Sequence, residues 1–442
     1  MLSGSGVPAD MTRTVIVCDE IQLIGDANRG QNVEVLLSLL KNAGWRQFVA
    51  LSAVLEAKDS NDLADWLGVD LIIEPVREKH LRYECWSSAG ICAVSTEHPE
   101  ELEEGLPIPK GISRNPLAVV ATLLKQKPKP PVPIIVFCTR SKRNTYEHAE
   151  RFIKEYLPPL EGQLTLAFDG IPETSANDFL KKALPYRIAV HSSDLLEEER
   201  EVVERYLLEG KLDVVFATTT LAAGVNFPLG AAIFANWDRW NSDAREYQPI
   251  GTDEFHNMAG RVGRMGFDHG QGKVIFFGDD NDIHHARAYL DLGTLPKLEA
   301  RISPSRFDQL SLQLVASGLC SSRDKVEQLI CTTFSATKEQ DRNTKAFEKW
   351  PAQIGKALDA LVAAALVIET SKGVISATPI GKAIAFSGIL PMTGVYLLDY
   401  LSHNGTVLTD CLPTPNSAGD MGKLVFLLFN LCYSSPEFRP ST

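Results

Sequence analysis

Short apolar runs alternate with amphipathic stretches through about residue 280. The runs at 14–18, 47–51, 71–74, 132–138, 187–190, 213–217, 231–235 and 273–277 predict buried strands. The 3.6-residue periodicity at 32–42, 145–156 and 197–208 predicts helices between several of them. Apolar strands joined by crossover helices predict an α/β architecture with parallel sheets, since such strands are covered on both faces.

Two breaks divide the pattern. Residues 97–104 are acidic and residues 125–133 (KQKPKPPVP) have the composition of an extended connector, with a helix predicted at 115–124 between them. After Ile302 helical periodicity dominates through Ala365, followed by a hairpin-like stretch over 366–377 with Lys372-Gly373 at its turn. Helices ending in such a wing predict a winged-helix module. The expected organisation is a partial first lobe at 1–95, a linker and entry segment at 96–133, and a second lobe at 134–295. A winged-helix domain at 300–395 and the start of a helical domain at 396–442 follow. The apolar helix 421–431 is the one element expected in the last segment.

Composition narrows the class without naming a partner. The 442 residues are 44% hydrophobic and 23% charged, the balance of a globular chain long enough for two or three domains. No apolar run reaches the roughly twenty residues needed to cross a bilayer, and residues 1–10 lack a signal-peptide pattern. An intracellular chain is expected, in the nucleus if the source is eukaryotic and otherwise in the cytoplasm. The 8 cysteines contain no CxxC pair and read as reduced core thiols rather than metal ligands or disulfides. A net charge of −12 does not announce a nucleic-acid binder, although a motor can grip phosphates locally with amides, hydroxyls and a few arginines.

Three segments carry candidate chemistry. Val15-Ile-Val-Cys-Asp-Glu-Ile-Gln22 places two carboxylates at the carboxy end of a strand, the edge where open α/β sheets bind ligands. One acid there can hold Mg²⁺ and the other can orient or deprotonate water, although an acidic pair after a strand is commonplace by itself. Residues 216–228 (FATTTLAAGVNFP) offer three hydroxyls and a glycine to phosphate and sugar oxygens, or form a plain hydroxyl-capped turn. Residues 257–264 (NMAGRVGR) place Arg261 and Arg264 three apart on a helix and so on one face, where guanidinium groups can stabilise a transferring phosphoryl group. A surface charge pair is the bland reading of that spacing.

Taken in order, these segments resemble the motifs of superfamily 2 helicases, closest to the DExH-box branch of Ski-like RNA helicases and DNA-repair helicases. Residues 19–22 (DEIQ) resemble motif II, Ser52-Ala-Val54 motif III, and residues 135–140 (IVFCTR) motif IV. Residues 191–200 (HSSDLLEEER) resemble the segment that follows in that branch, 217–228 motif V, and 257–264 motif VI. Arg29-Gly30, Glu34 and residues 377–385 (ATPIGKAIA) also match, so the resemblance spans roughly Thr14 to Gly394.

The resemblance implies RecA-like parallel sheets, the first lobe incomplete and the second complete, followed by the winged helix. It implies ATP and Mg²⁺ as cofactors, single-stranded DNA or RNA as partner, and 3′ to 5′ movement. Asp19 would hold Mg²⁺, Glu20 would activate water, and Gln22 and Ser52 would couple nucleotide state to lobe closure. Gly224, Asn226 and Asn257 would lie near the nucleotide; Thr139, Arg140 and Thr218 would touch the strand; Arg261 and Arg264 would reach the γ-phosphate. Gln22 stands where the branch has His, Val54 where it has Thr, Ser192 where it has a second His, and Asn257 where it has Gln.

The phosphate-binding Gly-x-x-x-x-Gly-Lys-[Ser/Thr] loop expected ahead of motif II does not occur among these residues. Gly-Lys is found at 210, 272, 355, 381 and 422, and neither Ser nor Thr follows it. Three readings are compatible: a piece of an ATP-dependent helicase, a non-catalytic nucleic-acid-binding or interaction protein, or half of a split motor whose partner chain supplies the loop.

Overall fold

The computed structural model describes residues 10–26, 29–52, 55–73, 80–109, 115–160, 167–219, 227–241, 244–263, 271–278, 283–292, 297–414, 419–435 and 437. The chain forms two compact units: Met1–Ser52, Ala57–Leu71 and Leu298–Thr442 make one, and Ala53–Glu56 with Ile72–Lys297 the other.

The first unit opens with strand β1 (Val15–Cys18), helix α1 (Gly30–Ala43), strand β2 (Gln47–Ala50) and helix α2 (Ala57–Leu67). β1 and β2 pair in parallel, Val15 opposite Gln47 and Cys18 opposite Ala50. Val15 and Val17 are 51% and 65% exposed, so apolar strand surface faces outward. The predicted strand at 71–74 is not observed over 71–73, and residue 74 lies outside the described residues. Ile72 is 91% exposed: an apolar run becomes a strand when a neighbouring strand takes its hydrogen bonds, and none does so among the described residues.

The second unit is built on one mixed, mainly parallel sheet. Its chain order is β3 (Leu81–Ser87), β4 (Gly90–Ser95), β5 (Glu103–Leu106), α3 (Pro116–Leu124), β6 (Ile134–Phe137), α4 (Lys142–Tyr156), α5 (Ser175–Ala183), β7 (Ile188–His191), α6 (Glu197–Leu208) and β8 (Val214–Ala217). Then come β9 (Ala231–Phe234), the strands β10 (Asp238–Asn241) and β11 (Glu246–Pro249), α7 (Thr252–Ala259), β12 (Gly272–Phe277) and α8 (Ile283–Ala288). The eight strands run β5-β4-β3-β12-β9-β6-β8-β7, parallel except at the β3-β4 and β4-β5 pairs. Every residue of β6, β7, β8 and β9 is buried, which is why these strands read as unbroken apolar runs. Ser141 and Thr174 cap α4 and α5 by accepting from Asn144 N and Asn177 N, fixing where each helix starts.

The boundary expected near residue 95 therefore shifts. β12 pairs in parallel with β3 along its whole length, so residues 81–106 belong to the second sheet, not to a first lobe and connector. The alternating apolar pattern of LRYECWS and GICAVS on either side of Ser88-Ala89 forms a hairpin whose first strand β12 accepts as a neighbour.

After Leu298 the chain rejoins the first unit as α9 (Phe307–Ala316), α10 (Arg323–Cys331), α11 (Phe334–Arg342), α12 (Thr344–Phe347) and α13 (Trp350–Ala363). The antiparallel pair β13 (Val367–Glu369) and β14 (Ile375–Ala377) follows, then α14 (Pro379–Ser387), α15 (Pro391–Thr409) and α16 (Met421–Tyr433). Phe307, Leu310, Val326, Ile330, Trp350 and Ile354 form this core, and Val35 of α1 is part of it. The β1-β2 segment and the helical segment thus share one hydrophobic interior instead of folding as separate domains. Gly381 packs directly on the backbone: a Cβ there would lie 2.0 Å from the Leu366 carbonyl oxygen.

Candidate active site

In the first unit the acidic pair sits where the sequence places it, at the carboxy end of β1. Leu51 N donates to Cys18 O at 2.9 Å and Ile21 N donates to Leu51 O at 3.0 Å, so the chain turns out of β1 beside the end of β2. Glu20 takes up a left-handed conformation (φ 56°, ψ 47°), which costs a non-glycine residue about 1–2 kcal/mol and is held by the surrounding bonds. Asp19 Oδ1 accepts from Glu20 N at 2.9 Å, leaving its other oxygen on an exposed edge. Gln22 Nε2 donates to Glu20 Oε2, and Ser52 Oγ donates to Gln22 Oε1 at 2.6 Å. Four of the sequence-selected residues, Asp19, Glu20, Gln22 and Ser52, are therefore joined by consecutive hydrogen bonds.

The same segment is braced from the helical part of its unit. Arg301 Nε donates to Gly25 O at 2.6 Å. Glu34 accepts from Ser335 N at 2.5 Å and from Ser335 Oγ at 2.8 Å, and Arg301 N and Ile302 N both donate to that serine oxygen at 3.1 Å. Burial pushes the Glu34 carboxyl up to about 7 against the pull of the Ser335 donors. Sequence reading matched Glu34 to a family pattern but assigned it no work; its buried contacts lie three hundred residues along the chain.

In the second unit Thr139 and Arg140 follow β6. Thr139 Oγ1 donates to Asp238 O at 2.7 Å, and Arg140 makes two parallel bonds to the Asp238 carboxylate at 2.7 and 2.8 Å. The Arg140 guanidinium also lies over the Tyr247 ring, 5.0 Å from its centroid. Trp240 and Tyr247, 53% and 51% exposed on the β10-β11 ribbon, meet edge to face at 5.4 Å. Exposed aromatic rings beside an arginine form a surface on which bases can stack. The sequence reading missed this pair; alternate polar and aromatic residues in Asp-Arg-Trp-Asn and Glu-Tyr-Gln-Pro were the available signal.

Thr218 directly follows β8, its N–H donating to His191 O at 3.1 Å. His191 is buried against Glu204 at 3.0 Å, and burial holds its imidazole below the ordinary range. Asn257 lies half-buried on α7. Arg261 departs from the helical expectation: α7 ends at Ala259 with Gly260 as its cap, and Arg261 occupies the following turn, 5% exposed. Gly260 caps α7, and Gly263 follows with φ +63°. Arg264, Gly224, Asn226 and Val54 lie outside the described residues.

His256, next to Asn257, is neutral because burial pushes its imidazole down to about 4, against the raising fields of Asp253 and Asp291. The unfolded histidine binds a proton below about 6.5 and the folded one does not until about 4. Stability is therefore full above pH 6.5 and declines as pH falls toward 4, on the order of 3 kcal/mol in all. Thermal melts of wild type and His256→Gln across that window should show a shallower acid decline in the variant; superimposable slopes would refute the assignment.

Comparisons with known proteins point to helicases. Residues 169–266 match the helicase conserved C-terminal domain. The chain is 24% identical over 396 residues to the ATP-dependent DNA helicase Hel308 of Thermoplasma volcanium, covering 89% of this chain and 54% of that protein. It is 26% identical to the Hel308 of Methanocella arvoryzae, over 88% and 50% of the two chains. It is 25% identical to the DExH-box ATP-dependent RNA helicase DExH14 of Arabidopsis thaliana, over 72% and 14%. The chain spans about half the length of the Hel308 proteins it matches. No helix among the described residues is long and apolar enough to cross a membrane. The mainly parallel eight-stranded sheet fits an α/β RecA-like lobe, and the chain is similar to helicases over most of its length.

Proposed function

We propose that these residues are part of an ATP-dependent DNA helicase or translocase of the DExH-box branch that moves 3′ to 5′ along a single strand. The observation that carries this reading is the joint match to the helicase C-terminal domain and to DNA helicases over most of the chain. The hydrogen-bonded set Asp19, Glu20, Gln22 and Ser52 fits a nucleotide site: Asp19 keeps an exposed carboxylate oxygen for a hydrated Mg²⁺, which takes oxygen ligands. Mg²⁺-ATP would supply the phosphoryl transfer that drives movement. Glu20 would orient and deprotonate water, with Gln22 and Ser52 reporting the site's state to the segment after β2. Gly224, Asn226 and Asn257 would lie near the nucleotide, and Arg261 and Arg264 would answer the charge on the γ-phosphate. Thr139, Arg140 and Thr218 would contact the strand backbone, with Trp240 and Tyr247 offering stacking faces.

We read α9, α10, α13 and the β13-β14 hairpin as a winged-helix module, and α15 and α16 as the start of a helical domain. The phosphate-binding loop is to be supplied by polypeptide outside these residues. Sequencing the transcript upstream of the Met1 codon should show an in-frame Gly-x-x-x-x-Gly-Lys-[Ser/Thr] segment. An in-frame stop without that loop would overturn this arrangement. Exposed Val15 and Val17 on β1 are equally open to a second arrangement in which a partner chain supplies the loop; co-purification of a loop-bearing polypeptide would then replace the in-frame segment. A strand-binding chain with neither loop nor partner would be a non-catalytic nucleic-acid-binding protein.

A further inference from the structure

The β3-β4 hairpin contains two thiols that the helicase chemistry does not use. Cys85 and Cys92 are directly opposed in the antiparallel register. Directly opposed residues point to the same face of a sheet with Cα atoms about 4.5–5.5 Å apart, inside the ~4.4–6.8 Å range that disulfides span. Neither is in a disulfide, and both are buried, 0% and 5% exposed. Independent contacts place both sulfurs under α8. A Cβ built on Gly278 would lie 3.5 Å from Cys85 Sγ and 3.0 Å from Ala286 Cβ, while the next residue, Arg287, donates from Nη2 to Cys92 Sγ at 3.5 Å. Arg287 also pairs with Glu104 at 3.3 Å, and its side chain is 48% exposed, so the cationic group touching Cys92 is itself reached by solvent.

We propose that Cys85 and Cys92 are a redox-sensitive dithiol that a hydroperoxide converts to a cross-strand disulfide between β3 and β4. Cys92, whose sulfur touches the solvent-reached Arg287 guanidinium, is the sulfur that meets the oxidant first. It attacks the hydroperoxide O–O bond, becomes a sulfenic acid, and the leaving oxygen departs as water or alcohol. The Cys85 sulfur then attacks the sulfenyl sulfur, the S–S bond forms, and the hydroxyl leaves with the Cys85 proton as water. The two thiols lose two electrons and two protons, and the hydroperoxide is reduced. The bond closes too short a loop to stabilise the chain much, so its consequence is local: Cys92 ceases to accept from Arg287.

The test uses the full chain, treated with hydrogen peroxide, quenched, alkylated under native-to-denaturing exchange and digested. No Lys or Arg separates the two cysteines, so one tryptic peptide holds both. That peptide should lack two hydrogens and resist alkylation until dithiothreitol is added. Exposed Cys432 reports that the oxidant acted. With Cys85→Ser, a dimedone adduct should appear at Cys92; with Cys92→Ser, Cys85 should remain alkylatable. Both cysteines fully alkylated while Cys432 is oxidised would overturn the proposal, as would a stable Cys92 sulfenic acid in the wild-type chain. Neither outcome bears on the helicase reading.

Discussion

Glu20→Gln is expected to lower strand-stimulated ATP hydrolysis about a thousandfold in the protein that includes the phosphate-binding loop, while leaving nucleotide affinity within a few-fold. The substitution keeps an oxygen that Gln22 Nε2 can donate to, so the Gln22–Ser52 link survives and only the proton acceptor is lost. Ser52→Ala removes the donor to Gln22 instead, and should reduce coupling between strand binding and hydrolysis more than basal hydrolysis. Steady-state hydrolysis with and without single-stranded DNA separates the two effects. Full activity in Glu20→Gln would remove Glu20 from the role of base.

Gly30→Ala is expected to destabilise the first unit by about 3 kcal/mol or more. A Cβ at this position would lie 2.4 Å from Ile24 O and 2.8 Å from Arg301 Cγ. The backbone oxygen cannot rotate away, and Arg301 is fixed by its bond to Gly25 O. The change would push apart the turn after the acidic pair and the helical segment that braces it, so Glu34 would lose its seat on Ser335 as well. Chemical denaturation followed by far-ultraviolet circular dichroism would report the shift. A midpoint within experimental scatter of wild type would show that the two segments do not pack as closely as described.

What could be read from residues alone follows from range. β6 to β9 are short apolar runs whose burial on both faces erases alternation, and helix α6 occupies the span 197–208 that its 3.6-residue periodicity marks. The acidic pair with Gln22 and Ser52 was legible because strand-end chemistry is local to each segment. The assignment of β3 to β5 was not legible: a hairpin pattern does not state which sheet will accept its first strand, and β12 lies nearly two hundred residues away. The Glu34–Ser335 and Arg301–Gly25 bonds escape periodicity for the same reason. Arg261 was misplaced onto a helix because spacing was weighed above Gly260, whose cap ends α7.

The central claim, that these residues belong to a nucleic-acid motor, is tested most directly by strand binding. Fluorescence anisotropy of labelled single-stranded DNA, titrated with the purified chain over a series of salt concentrations, should show saturable binding that weakens steeply as salt rises. Trp240→Ala should weaken it by the loss of about 1–3 kcal/mol of stacking, and RNA of the same sequence should compete less well. Absence of binding at low salt, or binding indifferent to salt and to Trp240, would contradict the account.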